Sequence, residues 1–271
     1  MRIYALASHK GGVGKTTTAA NLGAALAAAG KRVLLLDLAP QASLTAALEH
    51  TPARFAIGDV LREPARILEA IGPCADGMHL VPATATLAVV LLELAQAEDA
   101  VFRLSRALQQ VQDRYDYALI DCPPSLGCAL TNALTAAHVA LVPLQCDFLS
   151  LRGLVDIQEI AAAIREALNP TLRLRVVGTM FDRRIAHAND VLNEVSAVLP
   201  GQIYKTLIPR TVRLAEAPAT GQTIFAYAPK SQAAHAYRQL GQDILQENYA
   251  DETTRRHPGR DAETAFACRA S

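Results

Sequence analysis

The sequence has no net charge: 26 lysines and arginines balance 26 aspartates and glutamates. No global field therefore draws it toward nucleic acid, and any such contact has to come from a local patch. Nor is there an uninterrupted apolar stretch near the roughly 20 residues of a membrane span; the Ala/Leu run at 85–95 is broken by Glu93. The apolar run behind the first methionine, residues 3–7, falls short of the roughly 7–15 residues of a signal-peptide core. Five cysteines is an odd number in a long chain, which argues against a disulfide framework and for a reducing cytosol. The histidines show no metal-ligand spacing, and no internal repeat stands out.

What the chain does have is apolar material: 51% hydrophobic residues against 19% charged, enough for a sizeable core in one domain. Strand-like runs recur at 3–7, 32–36, 78–81, 117–120, 139–142 and 174–180. Helical patterns fall between most of them, at 16–29, 43–49, 57–71, 86–95, 99–114, 127–136, 150–168 and 187–198. Strands apolar on both faces and alternating with helices predict a single α/β domain, a mostly parallel twisted sheet with helices on both faces. From about Tyr249 the composition turns polar, with Pro258 and Gly259 as breakers. The domain is accordingly expected to span 1–248, and 249–271 to be a flexible tail.

The first strand leads directly into Lys10-Gly11-Gly12-Val13-Gly14-Lys15-Thr16-Thr17. A strand, a glycine-rich loop and a helix together hold a nucleotide's phosphate chain, with backbone N–H groups turned onto phosphate oxygens and the helix N-terminus adding positive partial charge. Lys15 is expected to reach the β- and γ-phosphates and the Thr16 hydroxyl to ligate Mg²⁺. A second lysine, Lys10, lies just inside the loop, and His9 stands where the usual pattern has its first glycine.

Such a loop needs acidic partners for the metal and for water. Asp37 ends the strand Val33-Leu34-Leu35-Leu36, and Asp121 ends Tyr117-Ala118-Leu119-Ile120. Both are candidate metal-organising carboxylates, and Asp121 opens a Pro-Pro…Gly segment suited to a nucleotide-sensing switch.

Lys10-Gly-Gly-Val-Gly-Lys-Thr-Thr, Asp37-Leu38-Ala39-Pro40-Gln41, Asp121-Cys-Pro-Pro-Ser-Leu-Gly and Ile208-Pro209-Arg210-Thr211-Val212-Arg213-Leu214-Ala215-Glu216-Ala217-Pro218 occur in that order. From residue 2 to about 245 the chain resembles the ParA/Soj branch of the ParA–MinD ATPases, the deviant Walker A proteins that segregate bacterial chromosomes and plasmids. The resemblance implies ATP and Mg²⁺ as cofactors and an ATP-dependent homodimer in which Lys10 reaches the partner's ATP. It further implies Pro209 and Arg210 against the adenine with Met180 nearby, sequence-independent binding of double-stranded DNA, and a ParB-like activator. It places the protein in the cytoplasm, on the nucleoid.

The sequence departs from that family at one consequential position. The family pattern is Asp-x-Asp-Pro-Gln, usually continuing Gly-Asn; here it is Asp37-Leu38-Ala39-Pro40-Gln41-Ala42-Ser43. Ala39 replaces the aspartate that would position or activate the attacking water. A methyl group can do neither, and losing such a group commonly costs about 10²–10⁴ in rate. The expectation is a chain that binds ATP and dimerises but hydrolyses slowly.

DNA contacts are expected from Arg183, Arg184, Arg213 and Lys230, all to phosphates and therefore salt-sensitive. Two other roles share the loop. A MinD-like membrane-associated ATPase would need a C-terminal amphipathic helix, for which the tail offers Phe266 as its bulky apolar anchor. A nucleoid-based positioning ATPase for a protein cargo would use the same chemistry with a different partner.

Overall fold

In the computed structural model, which describes residues 1–256, seven strands form one sheet. They are β1 (Arg2–Leu6), β2 (Val33–Asp37), β3 (Gly72–Pro73), β4 (His79–Val81), β5 (Tyr117–Asp121), β6 (Val139–Gln145) and β7 (Arg173–Thr179), in the spatial order β3-β4-β2-β5-β1-β6-β7. All pair in parallel except β3, which runs antiparallel to β4.

The helices are α1 (Lys15–Ala28), α2 (Ser43–Ala47), α3 (Ile57–Arg62), α4 (Ile67–Ala70), α5 (Leu87–Leu94), α6 (Arg103–Gln109), α7 (Cys128–Ala136), α8 (Phe148–Ala167), α9 (Ala186–Val198), α10 (Arg213–Glu216), α11 (Ile224–Tyr227) and α12 (Gln232–Arg256). One helix expected over 57–71 is two, because Pro64 has no N–H for the ladder and a 3₁₀ turn, Pro64–Arg66, intervenes. The expected helix at 99–114 shortens to α6 behind a 3₁₀ turn at Ala100–Phe102. At the carboxyl end, α12 runs on to Arg256, past the expected boundary at residue 248; residues 257–271 lie outside the described residues.

Strand alternation divides the core between two faces. Ile3, Ala5, Leu34, Leu36 and Ile120 pack toward α3, α5, α6, α7 and α8. Tyr4, Leu6, Leu35, Leu119 and Leu141 pack toward α1 and α12. Every residue of β2 and of β5 is buried, so these strands have no solvent face. Each fully buried leucine contributes roughly 1.5–3 kcal/mol. Helix α1 stops cleanly because Gly30, at φ +78°, lets its own N–H reach Ala27 O (2.9 Å) and that of Lys31 reach Leu26 O (3.1 Å).

The order of strands fixes the place of the site. Strand β1 lies between β5 and β6, and the chain departs from it in opposite directions on the two sides. In open parallel sheets the crevice beyond the strand ends at such a reversal is where ligands bind. Register then sets Asp37 opposite Asp121, and Asp121 opposite Leu6 at the mouth of the loop.

Candidate functional site

The loop between β1 and α1 is an open concavity of backbone. Gly12 and Gly14 take φ values of +76° and +92°, which side-chain-bearing residues rarely adopt. A Cβ added at Gly11, Gly12 or Gly14 would meet nothing within 4 Å. Helix α1 has no side-chain cap and no acidic residue in its first turn, so its leading N–H groups remain available to an anion.

Lys15 is buried, and its Nζ donates only to carbonyls among the described residues: Lys10 O at 3.2 Å and Ser8 O at 3.4 Å. Burial draws its pKa below the ordinary lysine value, while the charges of Asp121 and Cys122 oppose the shift. This is a cation without a paired carboxylate, beside a set of unused N–H donors. A phosphate chain satisfies both.

Next to it, the Thr16 hydroxyl donates to Asp121 Oδ2 at 2.6 Å. Asp121 is 1% exposed and its Oδ1 has no hydrogen-bond partner. Burial pushes this carboxyl up to about 7; the Thr16 bond opposes the shift and the neighbouring Asp37 charge adds to it. An orphaned buried carboxylate oxygen beside a threonine hydroxyl fits a hydrated magnesium ion, a hard cation that takes oxygen ligands and keeps several waters.

Asp37 is occupied differently. Its Oδ1 accepts from the Ala39 N–H (3.0 Å), and its Oδ2 accepts from the Thr45 N–H and hydroxyl (both 2.8 Å). Thr45 Oγ1 in turn accepts from the Ala83 N–H at 2.9 Å. The carboxylate thus ties β2 to α2 and to the segment after β4. Burial raises its pKa, and these bonds oppose the rise. Ala39 sits in the turn so formed, 5% exposed, with its carbonyl accepting from the Ala42 N–H at 2.8 Å. Ala42 opens α2 in the left-handed region at φ +51°.

Lys10 is held within its own chain. Its Nζ donates to Asp147 Oδ2 (3.0 Å), Asp147 Oδ1 (3.2 Å) and Ser150 Oγ (3.2 Å). Asp147 caps α8, accepting from the Ser150 N–H (2.9 Å) and hydroxyl (2.7 Å). Burial would raise the Asp147 pKa, but Ser150 and Lys10 outweigh it and hold the carboxyl below its usual range. His9 Nδ1 lies 2.7 Å from Asp156 Oδ2, also on α8.

On the other side, the Thr179 hydroxyl at the end of β7 donates to Val13 O at 2.9 Å, tying the phosphate loop to the segment after β7. There Met180 turns the chain at φ +52°, and Phe181 pairs with Pro209. The Phe181 N–H donates to Ile208 O and the Arg210 N–H to Phe181 O, each at 3.0 Å. Met180 is thereby brought to one edge with Pro209 and Arg210.

Pro209 and Arg210 line a cavity of about 1080 Å³, with Arg183, Arg184, Lys205 and Lys230 around it. Arg184 is gripped by Asp182 through two bonds, Nε to Oδ1 at 2.9 Å and an Nη to Oδ2 at 2.7 Å, and that carboxyl is held down at about 2. Arg213, exposed on α10, is not among the cavity-lining residues. The sequence alone does not point to Thr45, Asp147, Ser150, Asp156 or Thr179. Asp147-x-x-Ser150 directly after an apolar strand is a legible capping pattern; the other three have no local signal.

A family model described as an AAA domain matches residues 1–174. The chain is 44% identical over 246 residues to the chromosome-partitioning ATPase Soj of Thermus thermophilus, covering 90% of this chain and 96% of that protein. It is 41% identical over 251 residues to the chromosome partitioning protein ParA of Caulobacter vibrioides, covering 90% and 94%. Among solved structures it is similar to one described as a cobyrinic acid a,c-diamide synthase from Mycobacterium smegmatis with bound ADP and magnesium, at 36% identity, a TM-score of 0.82 and coverage of 93% and 96%.

Proposed function

Because the chain belongs to the ParA/Soj family of partition ATPases, we propose that it is an ATP- and Mg²⁺-dependent dimerising ATPase of slow turnover. In this reading it binds double-stranded DNA without sequence preference and segregates a chromosome or plasmid with a ParB-like activator, in the cytoplasm on the nucleoid. The observation that carries it is the cradle itself. Unused N–H donors at the start of α1, the carboxylate-free cation of Lys15 and the orphaned Asp121 Oδ1 beside Thr16 converge on one open concavity.

The residues divide the work. Gly11 to Thr17 hold the phosphates through the backbone, and Lys15 binds the β- and γ-phosphates. Thr16, with Asp121 behind it, holds the magnesium ion; Asp37, fully bonded, braces the turn that carries Ala39. A magnesium ion held by Thr16 and Asp121 would supply positive charge against the phosphates. Met180, Pro209 and Arg210 flank the base. At residue 39 there is no side-chain oxygen to orient water, so hydrolysis is slow and the ATP-bound state persists. Lys10 then contacts the nucleotide of the other protomer, and Arg183, Arg184, Lys230 and Arg213 meet DNA phosphates.

Sedimentation velocity tests the reading. A monomer without nucleotide, a dimer with ATP and Mg²⁺, and co-sedimentation with unrelated duplexes in the ATP state are expected. A monomer at saturating ATP and Mg²⁺ overturns it.

A further inference from the structure

A trans peptide unit carries its C=O and the following N–H on opposite sides, so whatever fixes the one also aims the other. In the phosphate loop, the unit joining Val13 to Gly14 is fixed from outside. Its carbonyl accepts from the Thr179 hydroxyl at 2.9 Å, 166 residues away at the end of β7. The unit is trans, as are all peptide bonds among the described residues. We propose that Thr179 is a positioning residue for nucleotide binding: by holding the Val13 carbonyl outward, it aims the Gly14 N–H into the cradle as a phosphate donor. The inference rests on the reading that this loop holds the phosphates of a nucleotide.

Without that hold the unit has a second orientation. Turning a peptide plane over changes only ψ of the residue before it and φ of the residue after it. Here the residue after is Gly14, at φ +92°, and glycine takes negative φ as readily as positive. A Cβ at Gly14 would meet nothing within 4 Å, so no packing opposes the swing. In the swung state the Val13 carbonyl oxygen faces the anion, and the cradle exchanges a donor for a repelling group. Both flanks of the unit are otherwise pinned. The Val13 side chain is buried, and Gly14 O accepts from the Thr18 N–H at 2.8 Å.

The hydroxyl that does the holding is itself presented from a rigid place. Thr179 is buried and pairs with Gln145 in the β6–β7 register. Gly178, just before it, accepts from the Ile208 N–H at 2.8 Å, and a Cβ there would stand 2.7 Å from Leu207 Cδ2. Close packing on that side fixes the strand end, as a group that orients a binding site requires. The loop's other outward carbonyls, Ser8 O and Lys10 O, are held by Lys15 Nζ. Those bonds compete with the phosphates for the same ammonium; the Thr179 bond does not.

Thr179→Val removes the hydroxyl and keeps the shape. By calorimetric titration it is expected to bind ADP about tenfold more weakly than the parent, the loss of one hydrogen bond to a charged group. Thr179→Ser keeps the donor and should bind nearly as the parent does. The Gly14 amide supplies a signature that a merely structural role would not move. In amide NMR spectra its proton should shift downfield when ADP binds the parent or Thr179→Ser, and far less in Thr179→Val. Thr179→Ala also lacks the hydroxyl and serves if Thr179→Val does not fold. If the parent binds ADP and Thr179→Val binds it as tightly, or if Thr179→Ser loses as much as Thr179→Val, the proposal is overturned and the nucleotide reading stands. If the parent binds neither ADP nor ATP, both fail.

Discussion

Asp37 and Asp121 are Cα partners across β2 and β5, yet the Asp37 carboxylate is fully hydrogen-bonded while Asp121 keeps an oxygen with no partner. Two acids that end neighbouring strands thus differ in their surroundings: one is bonded through both oxygens, the other keeps a buried oxygen without a partner. Asp37→Asn should cost about 1–3 kcal/mol of stability, because an amide nitrogen would face the N–H groups of Ala39 or Thr45. Asp121→Asn should spare folding and instead remove the Mg²⁺-dependent part of nucleotide affinity. Urea melts and calorimetric titrations with and without Mg²⁺ distinguish the pair; equal effects on both measurements would contradict the division.

The same burial gives a pH signature. The Asp121 carboxyl takes up its proton at about pH 7 in the folded chain and at about pH 4 when unfolded. Between these values the folded state holds the additional proton, so this group's contribution to stability falls as pH rises through that window. Nucleotide-free Asp121→Asn protein should therefore gain on the parent steadily from about pH 4 to about pH 7 in thermal melts. A constant difference across the window would rule out a buried, proton-holding Asp121.

Ala42 adopts φ +51°, in the left-handed region that glycine enters without strain. An L-residue there bears roughly 1–2 kcal/mol of strain, partly offset by glycine's larger entropy when unfolded. Ala42→Gly should raise stability by up to about 1 kcal/mol in denaturant melts. A loss of stability would mean that the turn after Pro40 tolerates alanine without strain.

The basic residues expected to meet DNA are not equivalent. Arg183 makes no ion pair among the described residues, whereas Arg184 is doubly bonded to Asp182. Arg183→Glu should weaken binding to any duplex and flatten its salt dependence, by about one unit of slope for each phosphate no longer neutralised. Arg184→Glu should do less. Arg213→Glu should weaken DNA binding and leave ATP binding intact. Filter binding at several salt concentrations reads all three, and an undiminished affinity for Arg183→Glu would remove it from the surface.

Much of the fold and of the phosphate site is legible in the chain because its signals are local. The strand-loop-helix at 3–29 announces itself by apolar runs and glycine spacing, and the acids at 37 and 121 close wholly apolar strands. The two-residue β3 carries no periodicity, and its Pro73 argues against a strand. The occupation of Asp37 depends on Thr45, and the hold on Lys10 depends on Asp147, 137 residues away. Such pairings are set by sheet order, which lays β1 beside β6, and no window of sequence contains them. Conversely, Arg213 reads as a neighbour of Arg210 in the sequence but stands apart from the cavity that Arg210 lines.

As proposed above, this chain holds ATP in a dimer and lacks the group that empties the site. Steady-state phosphate release by Ala39→Asp, against the parent at saturating ATP and Mg²⁺, tests it directly. A rise of about tenfold or more in turnover, with nucleotide affinity unchanged, is the predicted result. Equal turnover in the two proteins would contradict it.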